Sequence, residues 1–99
     1  SEPMSAPELS ACLADGHRLC RHPWARLCWT RTSSGRAVLF GNGASWDCDL
    51  RYESELERLC GRRCLALGAG DSLLSPAMLG LVSDLVNAGL LELSEEPCR

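Results

Sequence analysis

The chain has 99 residues, 45% hydrophobic and 23% charged, with a formal net charge of −3. That length suits one domain around one core, and the composition is too apolar for a disordered segment. Its apolar stretches, such as Met78 to Val82, fall far short of the roughly 20 residues that span a bilayer.

The N-terminus shows neither a basic n-region nor an apolar h-region, so a cytoplasmic chain is expected. All ten Lys+Arg positions are Arg. Five of them, Arg18, Arg21, Arg26, Arg31 and Arg36, lie in an acid-free stretch. Asp47 to Glu57 is the mirror image, with five acids against Arg51 alone. A dipolar surface is expected from the two blocks.

Residues 1–4 read as an appended remnant or a disordered end, with Met4 a possible natural start. One domain over residues 5–93 and a polar tail over 94–99 complete the division. Ser5-Ala6-Pro7-Glu8 matches a capping box, and Leu9, Cys12 and Leu13 give the helix that follows an apolar stripe. Asp15-Gly16 stops it.

From His17 the period becomes two. His17 to Arg21 is a candidate strand ended by Pro23, which lacks an N–H for a ladder. Trp24 to Arg31 is the next, with Ala25, Leu27 and Trp29 on one face and Trp24, Arg26, Cys28 and Thr30 on the other. Ser33-Ser34-Gly35 turns the chain into Arg36 to Phe40. Asn42-Gly43 is a strong hairpin signal that leads into Ala44 to Leu50.

Asp49 can cap a helix in which Tyr52, Leu56, Leu59 and Cys60 share one face. A short strand or helix is expected around Cys64 to Leu67, followed by the Gly68-Ala69-Gly70 loop. The last helix is the plainest element: Ser75 at the N-cap, Pro76 at N1, Gly89 past its end and a buried stripe of Leu79, Val82, Leu85 and Val86. Leu90 to Leu93 closes the chain as a strand. A three- or four-stranded meander packed on two or three helices is α+β and winged-helix-like.

Chemistry finds few carriers in these residues. Seven cysteines include no repeated C-x2-C, and the nearest pair is Cys60 and Cys64. Reduced, buried thiols without zinc are therefore expected. His17 and His22 are the only histidines and belong to no triad motif. The glycine-rich pieces lack phosphate-loop spacing. No catalytic residue, metal ligand or cofactor is assigned.

A partner-binding face is the remaining candidate, made by Trp24, Arg26, Arg31 and Arg36 and suited to an acidic or extended polypeptide. The opposing expectation is that the first helix covers Trp24 and the arginines are only solvated. The same arginines and tryptophans could grip nucleic acid. Duplex reading is disfavoured, because the last helix has no basic residue and carries Asp84.

Leu19, His22-Pro23, Ala25-Arg26-Leu27, Trp29, Leu39-Phe40, Asn42-Gly43 and the closing Leu85-Val86-Asn87-Ala88-Gly89-Leu90-Leu91-Glu92-Leu93 together resemble the C-terminal winged-helix domain of bacterial JmjC ribosomal oxygenases. These are cupin-like protein hydroxylases that depend on 2-oxoglutarate and iron(II). The family's iron sits on an H-x-D/E pair and a later His in a separate barrel, and neither His17 nor His22 has an acid two residues on. The resemblance therefore implies a non-catalytic module whose partner is its own catalytic domain or a ribosomal protein. A second resemblance, to the RiPP precursor-recognition element, implies capture of a precursor leader peptide as an added strand.

Overall fold

The computed structural model describes residues 2–96. Ser5 starts the first helix, α1 (Ala6–Ala14), by accepting the Glu8 N–H, and its own hydroxyl donates to Glu8 Oε1 at 2.9 Å. The helix buries Leu9 and Leu13. The residues before it are tied down. Met4 N–H donates to Asn87 Oδ1, and the Met4 carbonyl accepts from Ser83 Oγ and Asn87 Nδ2.

Six strands follow in two antiparallel sheets: β1 (Arg18–Arg21), β2 (Leu27–Arg31), β3 (Arg36–Gly41), β4 (Ala44–Asp49), β5 (Cys64–Leu65) and β6 (Leu91–Ser94). One sheet has the order β5-β1-β6 and the other β2-β3-β4. The expected three- or four-stranded meander is the three-stranded β2-β3-β4 sheet, while β1 leaves it to pair with β5 and β6. Pro23 and a turn closed by Ala25 N–H to His22 O at 2.9 Å redirect the chain after Arg21. The strand expected from Trp24 consequently begins at Leu27.

In the second sheet, Trp29, Leu39 and Trp46 are cross-strand partners, as are Cys28, Phe40 and Ser45 on the opposite face. The first row lies on the core, with Leu39 fully buried. Asn42 and Gly43 turn β3 into β4 with positive φ at both residues, 47° and 88°. That is the backbone a two-residue hairpin favours.

Asp49 caps a short 3-10 turn, Leu50–Tyr52, and the chain passes into α2 (Glu53–Gly61), which buries Leu56 and Leu59. Arg62 is extended, with φ −118° and ψ 135°. Cys60 and Cys64 thus do not share a helical face. Cys64 instead stands opposite Cys20 in the β1–β5 register, with Cα atoms 4.1 Å apart, and the two form a disulfide. This corrects the expectation of reduced, buried cysteines. Cys28 is also exposed, while Cys12 and Cys60 are partly buried and Cys48 is buried.

The final helix, α3 (Pro76–Asn87), buries Met78, Val82, Ser83 and Leu85. Leu79 and Val86 are only half-buried, so the stripe is rotated from the expected one. The Met4 segment, which covers the Ser83 and Asn87 side of the helix, accounts for the rotation. Leu9, Leu13, Leu19, Leu39, Leu56, Leu59, Leu73, Met78, Val82 and Leu85 form the fully buried centre. Burial of each stabilises the fold by about 2 kcal/mol before the entropy of ordering is counted.

Candidate protein-contact surface

The two charge blocks meet across the fold. Arg31 Nη2 reaches Glu53 Oε2 at 2.6 Å, and its guanidinium stands 5.6 Å from the Trp29 ring centroid. Trp29 Nε1 donates to Glu57 Oε1 at 2.6 Å, so Glu53 and Glu57, one turn apart on α2, bind consecutive odd positions of β2. Arg36 pairs with Asp47 on the neighbouring strand. Two of the five arginines in the basic block, Arg31 and Arg36, are therefore neutralised by contact with the acidic one.

Of the four residues expected on one face, the fold unites two. Arg31 lies on the Trp29 side, opposite Cys28 and Thr30, and is bound to Glu53. Arg36 lies on the outer face at the far end of β3, and Asp47 occupies it. Their assignment to a free binding face needs correction for that reason. Trp24 and Arg26 stay together, just before β2.

Trp24 is 83% exposed, which removes the alternative that α1 covers it. Its N–H donates to His22 Nδ1 at 3.2 Å, fixing the turn that presents the indole. Arg26 is exposed and forms no ion pair among the described residues. Its backbone N–H donates to Asn42 Oδ1 at 3.2 Å, which ties the start of β2 to the β3–β4 turn.

Phe40, which in the sequence is one member of an apolar run, completes this surface. It is 41% exposed on the outer face beside Cys28. Arg26, Cys28, Phe40 and the 41–45 turn line an open groove of about 390 Å³. Period two along β3 could have revealed it, since Ala37 and Leu39 point inward and Phe40 must then point outward. An exposed Phe40 in one groove with an unpaired guanidinium, and an exposed indole two residues before it in sequence, have the composition that protein interfaces favour.

Arg58 and Asp71 serve structure. Arg58 and Asp71 make two parallel hydrogen bonds of 2.9 Å, and this pairing holds the Asp71 carboxyl below the usual carboxylate range. Burial pushes the Cys60 thiol up to about 11, leaving it protonated at neutral pH. Thiolate chemistry at Cys60 is thereby disfavoured.

Three short helices, a three-stranded sheet with a solvent-facing side and a second small sheet closed by the last strand define a winged-helix-type α+β module. Residues 1–92 match the family described as ROXA-like winged helix, and the chain belongs to that family. Among solved structures it is similar to the crystal structure of Escherichia coli ribosomal oxygenase YcfD, with 25% identity and a TM-score of 0.70. The match covers 95% of this chain and 24% of that one, so the chain spans about a quarter of that protein's length. A comparison with curated proteins found no match. Among the described residues, no helix is long and apolar enough to cross a membrane.

Proposed function

We propose that this chain is a non-catalytic protein-interaction module, the terminal winged-helix part of a ribosomal-oxygenase-type hydroxylase, and that it holds an acidic or extended polypeptide at Trp24, Arg26 and Phe40. The observation that carries the reading is the groove that Arg26, unpaired among the described residues, lines with the exposed Phe40, with the exposed indole of Trp24 two residues earlier in the chain. The polypeptide belongs to the catalytic domain or to the protein substrate.

The iron implied by the family resemblance does not fit the described residues of this chain. His17 Nδ1 lies 3.0 Å from the Cys12 carbonyl and its Nε2 3.3 Å from Glu95, while His22 Nδ1 accepts the Trp24 N–H. Among the described residues, no three His, Cys, Asp or Glu side chains converge as a metal centre requires. The module's contribution is accordingly to bind and orient, and the oxidative step belongs elsewhere in such a protein.

The Trp24→Ala, Arg26→Ala double variant tests this reading. Because both side chains are exposed, its unfolding midpoint should stay close to the parent's, whereas affinity for the polypeptide should fall by more than about 1 kcal/mol. Affinity that falls only in proportion to unfolding would remove the assignment.

A further inference from the structure

We propose that a second surface, made by Arg21, Arg62 and Arg63 with Trp24 at its border, binds single-stranded nucleic acid. The proposal goes beyond the polypeptide contact and shares only Trp24 with it.

The fold creates this surface from residues far apart in sequence. The β1–β5 register pairs Leu19 with Leu65 and Cys20 with Cys64. One step further, Arg21 faces Arg63, and the Arg21 N–H donates to the Arg63 carbonyl at 2.7 Å. Side chains directly opposed on neighbouring strands stand roughly 5 Å apart at Cβ, and like charges there repel. Arg62 adds a third guanidinium and is exposed, as is Arg63.

Among the described residues, no acid pairs with the three. Among the described residues, the arginines that form ion pairs are Arg31, Arg36, Arg51 and Arg58. The α2 carboxylates Glu53 and Glu57 are turned to Arg31 and Trp29. Arg21 spends one N–H on the Cys60 carbonyl, at 2.7 Å, near the end of α2. A guanidinium has five N–H donors, so most of its capacity stays available. An anionic ligand would relieve the repulsion that the pairing of Arg21 with Arg63 builds in.

Trp24 decides the kind of anion. It follows Arg21 by three residues on the tight His22–Ala25 turn and offers an indole that is 83% exposed. Guanidinium groups that track phosphates beside an aromatic that stacks a base are the two elements of single-strand recognition. A duplex fits poorly, because α3 has no basic residue and exposes Asp84. An acidic polypeptide would satisfy the same charges, and the polyglutamate arm of the test distinguishes it.

The test is fluorescence polarisation of the whole chain with labelled oligouridine and oligothymidine of roughly 12 nucleotides, a length within the usual range of single-strand sites, and with a polyglutamate peptide. Saturable, salt-dependent binding of either oligonucleotide is expected, and the arm that binds tighter identifies RNA or DNA. The Arg62→Ala, Arg63→Ala variant should flatten the salt dependence by about 0.7 log unit for each phosphate it no longer neutralises. It should do so with an unchanged unfolding midpoint, because neither side chain makes a hydrogen bond or ion pair among the described residues. Trp24→Ala should weaken binding about tenfold or more without altering that slope. Phe40→Ala should weaken polypeptide binding alone, which separates failure of this proposal from failure of the polypeptide reading. Three results would overturn it: no saturable oligonucleotide binding, an Arg62/Arg63 variant that binds oligonucleotide as the parent does, or a loss of polyglutamate binding in the Arg62/Arg63 variant as large as the loss of oligonucleotide binding.

Discussion

Asp71 carries two tasks with one carboxylate. It accepts from both terminal nitrogens of Arg58 and from the Leu73 N–H, thereby joining α2 to the loop before α3. Asp71→Ala removes the pair and the cap and should cost about 2 kcal/mol, read from urea unfolding. Asp71→Asn can keep the cap and should cost less. The pairing lowers the folded-state pKa of Asp71 below its unfolded value. Its contribution is therefore present above the ordinary carboxylate value of about 4 and fades as pH falls through the lower folded value. Unfolding midpoints measured down that range should show a smaller acid-induced loss in Asp71→Asn than in the parent. At this scale the sequence spoke unevenly. Ser5 as a cap and Asn42-Gly43 as a turn were legible, because their chemistry is local. The ion pairs of Arg31 and Arg36 were not, because their partners arrive from other elements.

Among the elements, the joint between the two sheets depends on Gly41. A methyl group added there would stand 2.6 Å from a Leu90 methyl and 2.8 Å from a Leu27 methyl, both leucines being buried. Gly41→Ala should cost about 1 to 3 kcal/mol by overpacking. Leu90→Val in the same chain should recover part of that loss, and equal destabilisation in the two backgrounds would show that no such contact exists. The strands of the β2-β3-β4 sheet were readable because short turns join them in sequence. The β5-β1-β6 sheet was hidden for the opposite reason. Two-residue β5 carries no periodicity, and Arg18 pairs with Ser94 across most of the chain. The rotated stripe of α3 was hidden as well, since a helix covered on two sides shows no single apolar face.

For the molecule as a whole, the Cys20–Cys64 disulfide closes a sequence separation of 44 residues and ties the segment after α2 to β1. Loop-closure entropy assigns such a link about 4 kcal/mol of stability. Adding reductant should lower the urea midpoint accordingly, and a Cys20→Ala, Cys64→Ala variant should be insensitive to reductant. An unchanged midpoint would mean that the link contributes nothing. The opposed charge blocks, conspicuous in the sequence, meet on this scale in two internal pairs, Arg31–Glu53 and Arg36–Asp47. Among the arginines they leave unpaired in the described residues is Arg26, which belongs to the proposed contact surface. The backbone amide chemical-shift map of the chain, titrated with a Glu-rich extended peptide, tests the module's proposed role most directly. Shifts concentrated at Trp24, Arg26, Cys28, Phe40 and the 41–45 turn are predicted, together with their disappearance in the Trp24→Ala, Arg26→Ala variant. Shifts that leave this face untouched and gather instead on α3 or along the edge of β6 would contradict that role.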